Sequence, residues 1–242
     1  MPYDIIIGRD DADKKRFGKK GLIYFGKGYV KMGQYTSLSN PIYLDVSRSH
    51  VILVAGKRGS GKSYSLGVIA EELSQLPEEE RKNIAPLIFD TMGIFWTMKY
   101  ENEKEKFLLT DWKLKPKKLP VKVFVPYGKY GEYIEKGIPV DNVFSIKASE
   151  LVAEDWSLIF NLDIINPISI LIERVLSKLK EIGKYNIKNI IDGVKYDDNS
   201  ESNAKNAAVG LFEAADTWGV FSQDKKDETS INDLLNPGIT TI

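Results

Sequence analysis

The sequence contains no cysteine and a single histidine, His50. Without cysteine there can be no disulfides, thiolate metal sites or cysteine nucleophiles, and one histidine gives no basis for a zinc site. No apolar run approaches the roughly 18 residues that a membrane span needs. Residues 1–10 lack the basic start and apolar core of a signal peptide. These absences predict a soluble, cytoplasmic protein.

Net charge is also absent, because 34 Lys and Arg balance 34 Asp and Glu over 242 residues. A globally basic nucleic-acid binder is not indicated, although a local basic face remains open. Residues 1–49 carry nine basic against five acidic side chains, and Lys99–Lys122 carries eight lysines against four acids. The run Lys113–Lys118 could contact a DNA backbone, but a solvated loop is the simpler interpretation. Asp192–Asp233 reverses the balance, with ten acids and four lysines.

Short apolar runs bounded by turn residues dominate residues 1–49 and are typical of β-strands. These runs are Asp4–Gly8, Leu22–Phe25, Tyr29–Val30 and Pro41–Val46. Gly26-Lys27-Gly28 separates two of them with the spacing of a hairpin. We expect a small β-barrel-like lobe over 1–49; the alternative is that these strands extend the main sheet.

The pattern changes at His50 to alternating strands and helices. Val51–Ala55 is a continuous apolar run of the kind that is buried on both faces of a sheet. A glycine-rich turn and a helix of about Lys62–Leu76 follow, and then a second apolar run, Pro86–Asp90. Val121–Val125 is a further candidate strand. The order predicts a βαβ unit, and hence an α/β core with a parallel sheet over residues 50–130.

The rest of the chain reads as helical. Two apolar stripes at helical spacing end at Gly183 and Gly219, where a C-terminal glycine is expected. They predict a helical insertion over residues 145–235. Asn236–Ile242 combines a Pro-Gly turn with a β-branched run, which predicts the start of a further core strand over 236–242; a short terminal edge strand is the alternative.

The segment from Gly56 to Ser63 matches G-x-x-x-x-G-K-[ST], the phosphate-binding loop, between an apolar run and an amphipathic helix. Glycines let backbone N–H groups turn towards phosphate oxygens, and the helix directs its positive end at the anion. Lys62 can reach the β- and γ-phosphates, and the Ser63 hydroxyl can bind Mg²⁺. ATP and Mg²⁺ are the expected ligands. The predicted nucleotide-binding residues are Gly56, Lys57, Arg58, Gly59, Ser60, Gly61, Lys62, Ser63 and Tyr64.

The other candidate residues have simpler structural interpretations beside the functional ones. Asp90 ends an apolar run and could orient a metal ion near the phosphates; equally, it could cap the N–H groups of Met92 or Gly93 in the following turn. His50 is expected to be structural. Phe95 and Trp96 are expected in the core rather than stacked on a base.

The motif at His50–Ser63, together with the turn Asp90–Phe95, resembles the HerA-type ATPases of the HerA/FtsK superfamily. Softer similarity extends over most of the chain, at Ile7–Arg9, Val123–Pro126, Phe144–Lys147 and Ala215–Phe221. The resemblance implies a RecA-like sheet preceded by a small β-barrel. It also implies a hexameric ring that hydrolyses ATP to move double-stranded DNA in DNA-end processing and repair, working with a NurA-type nuclease.

The chain departs from this family at the groups that perform hydrolysis. The family turn usually reads D-P-H-G-E-Y, whereas Thr91, Met92 and Ile94 replace its Pro, His and Glu here. Residues 120–242 contain no apolar strand ending in Asp-Glu, and their one arginine, Arg174, lies in an amphipathic stretch. Asp90 stays the candidate catalytic residue. We therefore expect either a truncated product or one half of a split protein, with a second chain supplying the remaining strands.

The leading interpretation is the ATP-binding part of a HerA-type helicase or translocase. Two alternatives stay open: a stand-alone P-loop NTPase acting on a small molecule, and a nucleotide-binding regulatory subunit without DNA activity.

Overall fold

The computed structural model describes residues 3–222 and 228–242. Its strands are β1 (Ile5–Ile7), β2 (Leu22–Met32), β3 (Tyr35–Asp45), β4 (Val121–Lys122), β5 (Phe124–Pro126), β6 (Asn142–Phe144) and β7 (Thr240–Thr241). Its helices are α1 (Asp11–Phe17), α2 (Lys62–Gln75), α3 (Glu78–Arg81), α4 (Lys106–Asp111), α5 (Tyr130–Glu135), α6 (Ala153–Ile159), α7 (Pro167–Ile182), α8 (Ile187–Lys195), α9 (Ser202–Asp216) and α10 (Ile231–Leu234).

The chain divides into two compact units. One unit holds the residues up to Lys122 together with Leu234–Ile242, and the other holds Val123–Asp233. The first therefore contains both the β-rich segment and the glycine-rich loop, and the second contains the helical segment. The predicted division of the chain at residues 49, 130, 145 and 235 stays a prediction.

The N-terminal sheet has three strands in the order β1-β3-β2, with β1 parallel and β2 antiparallel to β3. Among the described residues this sheet stays open, so the expected barrel-like closure is not confirmed. The predicted hairpin at Gly26–Gly28 is wrong, because β2 runs straight through it with two register shifts. Glycines inside a strand allow such irregularities, and the actual reversal lies between Met32 and Tyr35.

Helix α2 packs against the N-terminal sheet through an apolar core. Ile23 and Leu44 of the sheet and Leu76 after the helix are buried together, and Ile69 and Leu73 pack around them. Ile69 and Leu73 share one face of the helix, because residues three and four apart lie on the same side. The core thereby holds the C-terminal half of α2 against the N-terminal sheet.

A small parallel arrangement of strands completes the first unit. Thr240 and Thr241 of β7 pair with Val121 and Lys122 of β4, and Thr241 also bridges to Leu87. The predicted strand Pro86–Asp90 is thus reduced to one bridge. This mixed α/β structure with small parallel sheets is consistent with the predicted P-loop domain. The parallel pairings are shorter than the predicted sheet.

The predicted buried strand Val51–Ala55 is wrong for this structure. Val51 is fully exposed and Leu53 is 88% exposed. Within residues 3–222 and 228–242 its backbone forms no hydrogen bond. A strand buried on both faces needs neighbours on both edges, and within the described residues this segment has none.

The second unit is a helical cluster built around Trp156. Its side chain is fully buried against Phe160, Phe212 and Phe221. Helix α7 ends at Ile182, where the sequence predicts, with Gly183 at a φ of 115°. In the same unit β5 pairs in parallel with β6. No helix in the described part of the chain is both long and apolar enough to cross a membrane.

Candidate functional site

The loop from Gly56 to Gly61 has the backbone geometry of an anion-binding turn. Gly59 and Gly61 adopt φ angles of 79° and 85°, which favour glycine. A Cβ atom on Gly56 would lie 2.4 Å from the Ser60 hydroxyl, so a side chain at this position would require Ser60 to move. The amide of Ser60 donates to the carbonyl of Lys57 at 3.2 Å and holds the turn. The backbone conformation or the packing of the loop thus favours glycine at all three motif positions.

Helix α2 begins directly at the end of this loop. Gly61 is its N-cap and has no side chain to cap the first amides, so these N–H groups stay available to a ligand. Fourteen residues of aligned peptide dipoles place positive potential at this point. The loop residues from Gly56 to Gly61 are exposed, and Lys62 is half-buried. An anion can therefore reach the amides from solvent.

The two motif side chains, Lys62 and Ser63, lie in the first turn of α2, directly after the loop. The Lys62 ammonium donates to the Lys57 carbonyl at 2.9 Å and so folds back over its own loop. Ser63, in the first turn of α2, is exposed, and its hydroxyl forms no hydrogen bond within the described residues. Lys57 and Arg58 expose their side chains, so their contribution to this loop is through the backbone. Tyr64 projects outward beside Ser63.

Asp90 has the turn-capping role that the sequence left as an alternative. Its Oδ2 atom accepts from the amides of Ile94 and Phe95 at 2.7 and 2.8 Å, and Oδ1 accepts from Met92 at 3.2 Å. Gly93, the other predicted partner, donates instead to the Asp90 carbonyl. Asp90 therefore fixes the start of a 3₁₀ turn, Phe95–Lys99. A catalytic role for its carboxylate stays a prediction.

A cleft of about 790 Å³ lies between α2 and the segment that follows the Asp90 turn. Ser63, Tyr64 and Gly67 line one side, and Trp96 and Tyr100 line the other. Trp96 is only partly buried, so its predicted place in the core is wrong. The sequence indicates that Trp96 and Tyr100 could lie side by side, because they are four residues apart. Nothing in the sequence indicates that they face α2 across a cleft.

Two carboxylates of α2, Glu71 and Glu72, line clefts beside the helix and have raised pKa values. Burial raises the pKa of both Glu71 and Glu72. The charge of Lys117 opposes the shift at Glu71, and a backbone hydrogen bond from Tyr24 opposes it at Glu72. Glu71 lines both the cleft beside Ser63 and a second one of about 620 Å³, which Trp112 also lines. A carboxylate with a raised pKa in a partly apolar cleft is easier to protonate than one in water.

A buried ion pair that the sequence patterns did not predict precedes the loop. Asp45 at the end of β3 is paired with Arg9, and His50 Nε2 lies 3.2 Å from the other carboxylate oxygen. Burial acts to raise the pKa of Asp45, but hydrogen bonds from Arg9, Ser47 and His50 outweigh it and lower the pKa. His50 is therefore a structural residue, as expected.

Arg174 pairs with a buried carboxylate rather than projecting freely. Its Nη1 atom lies 2.7 Å from Asp197, whose side chain is inaccessible to solvent. Lys178 contacts the same carboxylate at 3.3 Å. This arginine is thus engaged within its own unit.

The comparison with known proteins accords with the loop geometry. No curated protein matches the chain. A family model described as "Helicase HerA, central domain" matches residues 30–242, which include the loop, α2, the Asp90 turn and the helical unit. Since this match covers most of the sequence, the chain belongs to the HerA central-domain family of P-loop ATPases.

Proposed function

We propose that this chain binds ATP and Mg²⁺ at Gly56–Ser63 and takes part in ATP hydrolysis that moves double-stranded DNA. The observation that carries the proposal is the loop itself. Two left-handed glycines, and a third whose Cβ would press on the Ser60 side chain, precede a 14-residue helix whose first amides lack a side-chain cap. Such a cradle is complementary to phosphate oxygens.

The residues present fit the expected ligands. Lys62 would exchange the Lys57 carbonyl for the β- and γ-phosphates, a stronger partner because it is charged. The Ser63 hydroxyl, with no hydrogen bond to the described protein, would bind the metal ion. Magnesium, when bound, neutralises charge that develops on the phosphate oxygens. Tyr64 would offer its backbone amide to the α-phosphate.

The DNA-level part of the proposal rests on family membership. A homo-oligomeric ring, most simply a hexamer, would enclose double-stranded DNA and use ATP to move along it during end processing. A NurA-type nuclease partner follows from the resemblance alone. A second chain that supplies a C-terminal half has support from the exposed apolar segment at Val51–Ala55 and from Phe89, which is 82% exposed.

Lys62→Ala tests the nucleotide site. Charge-assisted hydrogen bonds contribute about 1.5–3 kcal/mol each, so ATP affinity should fall by about 10- to 100-fold in a titration of the purified chain. Lys82→Ala, an exposed lysine beyond α3, is the matched control and should leave affinity unchanged. Equal affinities of Lys62→Ala and the unaltered chain would refute the assignment.

A nucleotide-binding regulatory subunit without turnover is the second candidate. One observation favours it: both Asp90 carboxylate oxygens accept backbone amides, so this carboxylate has a structural role in the turn. DNA-stimulated ATP turnover by the assembled protein supports the translocase. Tight ATP binding with no turnover, in the presence of DNA and of any second half, supports the regulatory subunit.

A further inference from the structure

The cleft beside Ser63 begins where the phosphate loop ends. Ser63, Tyr64 and Gly67 form its wall on α2, directly after the lysine of the motif. Because the loop amides and the first turn of such a helix hold the phosphates, the cleft begins next to the end of a bound phosphate chain. The cleft, at about 790 Å³, is within the range of small-molecule sites.

The opposite wall of the cleft presents an aromatic ring in a fixed orientation. The indole N–H of Trp96 donates to the Gly93 carbonyl at 2.9 Å. Tyr100 packs edge-on against the same indole, with ring centroids 6.3 Å apart and an interplanar angle of 89°. Asp90 holds the turn from which Trp96 projects, through the amides of Ile94 and Phe95. A ring held in this way can stack on a planar ligand without first being ordered.

The charge of the cleft selects among planar ligands. Its lining includes three carboxylates and three lysines, so it carries no formal excess of either sign. A polyanionic strand needs a basic groove, which this cleft does not provide. A neutral base and ribose do not need one, and Glu71, Glu101 and Lys104 are polar groups in the same lining that could orient them.

From these observations we infer that the cleft is the nucleoside subsite of the site at Gly56–Ser63, and that Trp96 stacks on the base. The inference rests on the proposed function, because the phosphates must sit on the loop for the base to enter this cleft. Trp96 is then a specificity-determining residue, and Tyr100 and Asp90 are positioning residues. Every base has an aromatic face, but a purine offers more stacking area than a pyrimidine, so ATP should bind more tightly than CTP.

Comparing ATP with inorganic tripolyphosphate separates the two parts of the site. Both ligands place phosphates on the loop, but only ATP has a base. The unaltered chain should bind ATP more tightly than tripolyphosphate in the presence of Mg²⁺. In Trp96→Ala, ATP affinity should fall by about 5- to 100-fold, the loss typical of one base–aromatic stack, while tripolyphosphate affinity stays constant. Trp96→Phe, which keeps a ring, should recover most of the ATP affinity.

Trp112→Ala is the matched control, since Trp112 lines the second cleft and not this one; both affinities should be unchanged. Tyr100 is 54% exposed, so Tyr100→Ala gives a second variant with little risk to folding, and it should weaken ATP alone. Unchanged ATP affinity in Trp96→Ala or in Tyr100→Ala, or an equal loss for both ligands, would overturn the subsite. If Lys62→Ala leaves both ligands unaffected, the proposed function itself fails, which is a distinguishable result.

Discussion

Asp45 and Asp90 are both carboxylates at the end of an extended segment, but they are stabilised by different partners. Asp45 is buried and paired with a guanidinium, Arg9, which also donates to the carbonyls of Gly18 and Lys20. Asp90 has backbone amides as its partners. Replacing Asp45 leaves a buried cation unpaired, whereas replacing Asp90 loosens one turn. Asp45 should therefore matter for stability and Asp90 for the shape of the site.

Asp45→Asn should lower the free energy of unfolding by about 3–5 kcal/mol at neutral pH, because it removes one partner of a buried ion pair. Chemical denaturation measures the loss. Asp13→Asn is the matched control, since Asp13 pairs with Arg48 at the surface, where such pairs contribute about 0–1 kcal/mol. Equal losses in the two variants would contradict the assignment of Asp45 as a buried partner.

The same pair predicts a dependence on pH. The pKa of Asp45 is lower in the folded chain than its ordinary value of 3.8. A carboxyl of this kind contributes stability that is fully present above pH 3.8 and is lost as the pH falls through the lowered folded value. The stability difference between the unaltered chain and Asp45→Asn should therefore be constant near neutrality and shrink in acid below pH 3.8. A difference that grows in acid would oppose this sign.

Among the secondary-structure elements, the helices follow the sequence more closely than the strands do. Helix α7 is specified locally: Asn166 caps its first turn, Pro167 opens it, and a glycine follows Ile182. Every signal lies within the helix or next to it. The glycine-rich loop is equally local, because its conformation depends on its own glycines and on the helix that follows. Both could be predicted from the sequence for this reason.

Strands depend on partners elsewhere in the chain, and there the sequence was a weaker guide. Val51–Ala55 has the composition of a buried strand, but composition cannot supply the neighbouring backbone that makes one. The pairing of Thr241 with Leu87 joins residues 154 positions apart, which no local pattern reveals. The same limit applies to the site: α2 and Trp96 meet across the cleft only through tertiary packing.

Helix α6 carries the aromatic centre of the helical unit, and its Trp156 gives a prediction for that element. Trp156→Ala should cost about 3–5 kcal/mol, because it leaves a large cavity among Phe160, Phe212 and Phe221. Trp156→Phe should cost clearly less. It keeps a ring in the cluster and removes a buried indole N–H that has no hydrogen-bond partner in the described residues. Thermal or chemical unfolding measures the stability of the two variants. Equal losses of stability would show that Trp156 does not stabilise the unit through the packing of its ring.

At the scale of the whole molecule, charge is balanced overall but unevenly distributed. The stretch Lys99–Lys122 has eight lysines against four acids, whereas Asp192–Asp233 has a clear acidic excess. Neither the described fold nor the sequence contains a recognisable base-reading module such as a zinc finger. Contact with DNA, as proposed, would therefore use the phosphate backbone, which is the same for every sequence.

DNA binding by this chain, alone or in its assembly, should accordingly be independent of sequence and sensitive to salt. Each phosphate contact releases counterions, so log affinity should fall linearly with log salt concentration, with a slope of about −0.9 per contact. Affinities for several unrelated duplexes of equal length, each measured over a salt series, provide the test. The lines should coincide within error, and ATP should shift all of them together. A strong preference for one duplex, or a slope near zero, would count against a translocase that follows the DNA backbone.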